Sequence, residues 1–260
     1  MNIVIGDIHG CLEPLVLLLQ REEIIDLNSH WIAGNSRLIF LGDYMDRGEN
    51  GIGVLDLIMC LEQEASQAGG EVIALLGNHD VVMLEAYYFG QELRKNLLKY
   101  GERMTFKEMW LRNAGGCQSD LEHIREYHLE WLKNRPVMLK IKNTLLIHAD
   151  SEFYLQYGDS IESINTTIRK ILHQPTIDVL DELEERFSSR LAFAHEPSEI
   201  PRAFAEKFEA TQIVHGHTPI FRLCQLEADE VDEPFIYADG ICVNLDHALC
   251  YGGKGFVYRF

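Results

Sequence analysis

An α/β fold is predicted by two features of the sequence. Short apolar runs rich in β-branched residues recur at 3–5, 38–41, 72–76, 145–147 and 212–214, beside Gly-Asp or Gly-His punctuation, and read as buried strands. Between them the apolar residues take helical spacing, as where Val54, Leu57, Ile58 and Leu61 share one face. Strand and helix therefore alternate through the first half, the order of α/β folds. With 260 residues and 47% apolar composition, the chain can bury a large core, and residues 1–260 are read as one domain.

The pattern changes at residues 81–136, which are mostly helical and aromatic-rich, with Tyr87, Tyr88, Phe89, Tyr100, Trp110 and Trp131, and Gly115-Gly116 as a break. This segment reads as a helical insertion capping a site, although each aromatic taken singly suits core filling between helices. Beyond Ile220, the segments 221–226, 235–238, 241–245 and 256–260 are expected to be successive sheet strands. No internal repeat or low-complexity linker interrupts the chain.

The formal charge of −18 argues against nucleic-acid binding, because neutralising a phosphate backbone takes clustered Lys and Arg. Any phosphate specificity must be built locally. The acidic stretches 181–185 and 227–233 read as solvated helix face or loop. Cys11, Cys60, Cys117, Cys224, Cys242 and Cys250 form no CxxC pair, which predicts a reduced, cytoplasmic protein. The N-terminal apolar run spans only residues 3–5, so neither a signal-peptide core nor a membrane span is expected, and a chain starting at Met1 would not be exported.

Chemistry concentrates where strands end. GDIHG at 6–10, GDYMDRG at 42–48, GNHD at 77–80, His148 after the run 145–147, and HGHT at 215–218 each follow a predicted strand. That is where α/β sheets place ligands. In an extended segment Asp7 and His9 point to one side while Ile8 packs the other way, so both can reach one cation. Gly6, Gly10, Gly42, Gly48, Gly77 and Gly216 would let the backbone approach the site closely. Asp43, central in the chain order of candidate ligands, is the natural carboxylate to bridge two cations.

Taken alone, Asp-x-His is a weak signal, GNHD could be a turn with Asn78 in a capping conformation, and HGHT could be exposed. Five such clusters at strand ends supply the ligands that a dinuclear site requires. Imidazole and carboxylate donors suit Mn, Fe or Zn better than Ca, and the lack of a Cys set argues against structural zinc. Two such cations would hold and activate a hydroxide for in-line attack on a phosphoryl group.

The ordered set GDIHG, GDYMDRG, GNHD, His148 and GHT resembles the calcineurin-like metallophosphoesterases, in their phosphoprotein phosphatase branch of bacterial type. Residues 243–253, with Asp246 and Tyr251-Gly252-Gly253, resemble the final strands of bacterial members, and 110–116 and 128–136 resemble segments of bacterial phosphatases. The resemblance implies two mixed β-sheets packed face to face and flanked by helices. It implies one metal held by Asp7, His9 and Asp43, and a second by Asp43, Asn78, His148 and His217, most often Mn. It makes His79 the general acid, oriented by Asp46, and Arg47 the bidentate phosphate clamp. Leu76 stands where eukaryotic-type protein phosphatases carry Arg, so Arg112 or Arg190 is expected to supply that contact. Asp80 replaces their Glu and matches diadenosine-tetraphosphatase relatives, which tend to lack the Asp46-Arg47-Gly48 element kept here. Asp150 stands where Gly is common and Pro219 where other branches carry a second His, leaving His215 behind the ligands.

Three functions compete. The intact Asp46-Arg47-Gly48 favours a phosphomonoesterase acting on phosphoserine, phosphothreonine or phosphotyrosine in proteins. GNHD and the absence of a basic arm favour a dinucleoside polyphosphate hydrolase. A non-catalytic metal-binding module would have little use for His79, and a nuclease would meet repulsion from the acidic surface.

Overall fold

The computed structural model describes residues 1–94 and 103–260, so Tyr100 lies outside the described residues. The first half runs β1 (Asn2–Ile5), α1 (Leu12–Arg21), β2 (Arg37–Phe40), α2 (Gly51–Gln67), β3 (Glu71–Ala74) and α3 (Asn78–Phe89). α4 (Phe106–Met109), a π-turn at Trp110–Ala114, α5 (Gln118–His123) and α6 (Glu126–Lys133) follow. Then come β4 (Met138–Ile141), β5 (Thr144–Ile147), α7 (Ile161–His173), α8 (Ile177–Phe187), α9 (Glu199–Lys207) and β6 (Gln212–His215). α10 (Ile220–Cys224), β7 (Phe235–Tyr237), β8 (Cys242–Asn244) and β9 (Tyr258–Arg259) complete the α-helices and strands of the described residues, with short 3-10 turns at Glu152–Gln156, Ala228–Glu230 and Leu249–Tyr251.

Two mixed sheets form, one in the order β3-β2-β1-β9 and the other β4-β5-β6-β8-β7. β1, β2 and β3 are parallel to one another, as are β5, β6 and β8, so within each trio the carboxyl ends share an edge. The period-2 alternation of strands divides the core into layers. Val4, Ile39, Leu146, Val214 and Val243 from both sheets pack into one apolar cluster. Their neighbours Ile3, Ile5, Leu38, Phe40, Leu145, Ile147 and Ile213 join a second cluster with the helices. β1, β2, β5 and β6 are thus apolar on both faces, which explains why these segments read as continuous runs rather than alternating ones.

Two segments depart from the sequence reading. Residues 221–226, expected to be a strand, fold as α10: Pro219 begins the turn at a position that needs no N–H donor, and Gln225 at φ +55° stops it. β4 was not anticipated because Lys140 interrupts its apolar run, yet it pairs antiparallel with β5 through a tight turn in which Lys142 takes φ +53°. In the aromatic-rich segment, Phe106, Trp110 and Trp131 are buried in the helix-side core, whereas Tyr87 is exposed. α3 is buried along Asn78 to Ala86 without a polar face, as expected of a helix enclosed on all sides. No helix among the described residues is long and apolar enough to cross a membrane.

Candidate dinuclear metal centre

The loops after β1, β2 and β3 meet those after β5, β6 and β8 in one buried pocket. Asp7, His9, Asp43, Asn78, His148 and His217 are all buried there. His9 turns at φ +50° instead of continuing an extended strand, yet its Nε2 still lies 3.8 Å from Asp7 Oδ2 while Ile8 packs into the core as expected. Asp43 sits between two imidazoles, with Oδ2 3.4 Å from His9 Nε2 and Oδ1 3.4 Å from His148 Nε2. His148 Nε2 also lies 3.1 Å from Asn78 Oδ1 and 3.2 Å from His217 Nδ1.

Backbone geometry holds these groups in place. His9, Asp43, Asp46, Arg47 and His217 all take positive φ, a cost of about 1–3 kcal/mol each that persists only where the surroundings impose it. Asp80 imposes much of it here. Its Oδ2 accepts from the backbone N–H of Gly77 at 2.8 Å and Asp43 at 3.0 Å, and its Oδ1 from Tyr44 N–H at 2.9 Å. One carboxylate thereby caps α3 and fixes the loop carrying Asp43. A methyl at Gly77 would collide with Asp43 Oδ1, and one at Gly216 with Asp7 Oδ1, so both positions need glycine for close approach.

The donors suit divalent cations. Asp7, His9 and Asp43 offer ligand atoms within 4.8 Å of one another, as do Asp43, His148 and His217, so Asp43 belongs to both groups. The His9 and His148 Nδ1 atoms face the carbonyls of Met45 at 3.2 Å and Leu41 at 3.1 Å. An N–H donated to each carbonyl leaves the Nε2 lone pair facing the carboxylates, the tautomer a metal requires. His217 Nε2 is buried with no hydrogen-bond partner among the described residues. Burial first, then neighbouring positive groups, hold His9, His148 and His217 well below the usual imidazole range, so all three stay neutral and able to coordinate. Burial, with Asp246 and Asp43 nearby, pushes Asp7 well above the usual carboxylate range, a repulsion that a cation would relieve.

Beside this centre, His79 Nδ1 lies 2.8 Å from Asp46 Oδ2, and the Arg47 guanidinium spans two rings, 2.7 Å from His9 Nε2 and 2.7 Å from His79 Nε2. Burial drives Asp46 up and His79 down to about 4. The Arg47 backbone is itself secured by its N–H donating to Gly115 O at 2.7 Å, so the break expected at Gly115-Gly116 serves as an anchor next to the π-turn. Arg190 is exposed, but its charge acts on His79, His148, His217 and Asp246. Arg112 is exposed, and its charge lowers Glu108. His215 lies behind the ligands, its Nε2 2.9 Å from Tyr237 Oη, which donates to Asp150 Oδ2 at 3.0 Å.

Two residues of the centre carried no sequence signal as such. Asp246, anticipated only within a closing strand segment, is buried with Oδ2 unpartnered among the described residues, and its carboxyl is pushed up to about 6, chiefly by burial. Ser188 Oγ accepts from Asn78 Nδ2 at 2.9 Å, which turns the amide oxygen towards His148; a lone Ser after a helix shows no such role in sequence.

The calcineurin-like phosphoesterase family model matches residues 3–241 of the chain. The chain belongs to that family. As a calcineurin-like phosphoesterase it is a hydrolase. It is 31% identical over 169 residues to Shewanella-like protein phosphatase 1 of Plasmodium berghei, which covers 64% of this chain and 43% of that protein. It is 25% identical over 273 residues to the asymmetrical bis(5'-nucleosyl)-tetraphosphatase PrpE of Oceanobacillus iheyensis, covering 99% of this chain and 87% of that one. Among solved structures, the cold-active protein-tyrosine phosphatase of a psychrophilic Shewanella species shares the fold of this phosphoesterase, with a TM-score of 0.70 at 21% identity over 98% of this chain and 73% of the other. The phosphoesterase spans less than half the length of the first curated relatives it matches.

Proposed function

We propose that the chain is a metal-dependent phosphomonoesterase acting on phosphoserine, phosphothreonine or phosphotyrosine in proteins. The observation that carries this reading is the position of Arg47 between His9 and His79, where its planar fork can take two oxygens of a terminal phosphate. The match to Shewanella-like protein phosphatase 1 supports it. Asp7, His9 and Asp43 would hold one divalent cation and Asp43, Asn78, His148 and His217 a second, with Mn preferred and Fe or Zn as substitutes. Such a pair supplies an activated water and neutralises phosphoryl charge.

The chain's own groups do the rest. In the present arrangement Arg47 donates to His79 Nε2, so that nitrogen carries a lone pair and the ring is neutral. A phosphate that draws Arg47 away frees Nε2, and its negative charge favours protonation there. His79, held through Nδ1 by Asp46, then delivers that proton to the leaving oxygen. Arg190, which is exposed, is read as the second phosphate contact, and the described residues of 81–136 as a helical cap insertion beside the site. The six free cysteines support a reducing, cytoplasmic setting.

A second reading, dinucleoside polyphosphate hydrolysis, is favoured by the match to PrpE along nearly the whole chain. Initial rates of the Mn-loaded protein on phosphoserine, phosphothreonine and phosphotyrosine peptides and on diadenosine tetraphosphate decide between them. Higher kcat/KM on a phosphopeptide is expected; fast nucleotide cleavage beside negligible peptide cleavage would reverse the order.

A further inference from the structure

A second acidic group lies away from this centre, in the seam between α3 and α8. Glu85 on α3 offers ligand atoms within 4.8 Å of Asp181 and Glu184 on α8, and all three residues are buried. Arg94 already occupies part of the group: its Nε donates to Asp181 Oδ1 at 2.5 Å and its Nη2 to Glu184 Oε2. Glu184 Oε1 accepts from Ser188 Oγ at 2.7 Å. Glu85 is left over. It is 1% exposed, and neither of its carboxylate oxygens has a hydrogen-bond partner among the described residues.

A buried carboxyl can be accommodated in two ways, as a neutral acid that donates its proton to a neighbour or as a ligand to a cation. Among the described residues no donor reaches Glu85, and burial, with Glu184 and Asp181 nearby, pushes its carboxyl well above the usual carboxylate range, a repulsion that a cation would relieve. One ligand oxygen from each of Glu85, Asp181 and Glu184 lies within 4.8 Å of the other two. Two oxygens on one cation, each roughly 2.3–2.6 Å from it, are separated by this kind of distance. Charge agrees: with all three ionised, the carboxylates exceed the one guanidinium among the described residues by two negative charges, which one divalent cation neutralises. We infer that Glu85 and Asp181, backed by Glu184 and Arg94, form a binding site for a hard divalent cation such as Ca or Mg, separate from the dinuclear centre.

The donors are all oxygens, unlike the imidazole-rich centre, so the site selects a different class of ion. It also has a connection to the centre. Asn78 and Glu85 lie seven residues apart on one face of α3, roughly 10 Å along the axis. Across the seam, Glu184 and Ser188 sit on successive turns, and Ser188 Oγ holds the Asn78 amide. A cation at Glu85 would fix Glu184, hence Ser188, hence the amide proposed as a ligand of the second metal. The binding site itself stands whether or not that catalytic assignment does.

The test is calorimetric titration of the Mn-saturated full chain with CaCl2, together with thermal unfolding in Ca or Mg. One Ca per chain with a dissociation constant below about 1 mM and a rise of several degrees in Tm are expected. Glu85→Gln should abolish both, keep its Mn content and keep its Ca-free activity. Asp181→Asn serves as an independent variant if Glu85→Gln folds poorly. No Ca uptake by the parent, or undiminished uptake by the folded variants, overturns the inference. Because the readout is Ca binding, an inactive protein that still takes up Ca would count against the catalytic reading alone.

Discussion

His79 donates the proton in the proposed reaction, and its surroundings define what replacing it should do. Its ring is oriented by Asp46 and faces Arg47, and among the described residues the second-metal group of Asp43, His148 and His217 does not include it. His79→Asn should therefore lower kcat by about 10²–10⁴ on phosphoserine, whose alkoxide leaves poorly, and far less on an aryl phosphate. Bound Mn, measured by elemental analysis, should be unchanged. Equal losses on both substrates would remove the proton-donor role. The proposed ligands were legible in sequence because each follows a buried strand and all but His148 sit in a short motif. Asp246 and Ser188 were not, since one carboxylate near the end of the chain and one hydroxyl after a helix gain meaning only from what folds against them. Arg112, expected to stand in for the arginine that Leu76 replaces, is exposed, and its charge lowers Glu108.

At the scale of the element, α3 begins where β3 ends, and Asp80 joins that junction to the loop after β2. Its three backbone partners, Gly77, Asp43 and Tyr44, are buried. Asp80→Ala leaves three buried N–H groups without acceptors and should cost about 3 kcal/mol or more, read as a fall in the urea midpoint. Weaker Mn binding should accompany it, because the Asp43 loop loses its anchor. A variant as stable as the parent would show that water replaces the carboxylate. Strand positions could be anticipated because apolar runs of β-branched residues have few alternatives when both faces are covered. Residues 221–226 misled because an apolar run of that length suits a buried helix equally well, and only Pro219 and the positive φ of Gln225 decide between them.

For the molecule as a whole, burial of imidazoles contributes acid lability. His9, His79, His148, His215, His217 and His247 are all held below the ordinary value of 6.5, His79 and His247 at about 4, with burial the main cause. At these imidazoles the unfolded chain takes up more protons than the folded one as pH falls, whereas Asp7, Asp46, Asp80, Glu85 and Asp246, raised by burial, act in the opposite sense. The stability the imidazoles contribute is complete above about pH 6.5 and is lost progressively towards pH 4, by up to about 1.4 kcal/mol per pH unit for each. Denaturation of the metal-free parent and of His247→Phe at pH 7.5, 6 and 5 isolates one such group: towards pH 5 the parent should take up about one proton more on unfolding than the variant does. An identical pH dependence in the two would contradict it.

Asp7, His9, Asp43 and Asn78 follow strands of one sheet, whereas His148 and His217 follow strands of the other. The proposed second cation would therefore be a rivet through both halves of the sandwich, and it could not form until they had met. Loading would report late assembly, and a chelator would do more than silence the enzyme: it would loosen the join, so that heat resistance should track the free-metal concentration.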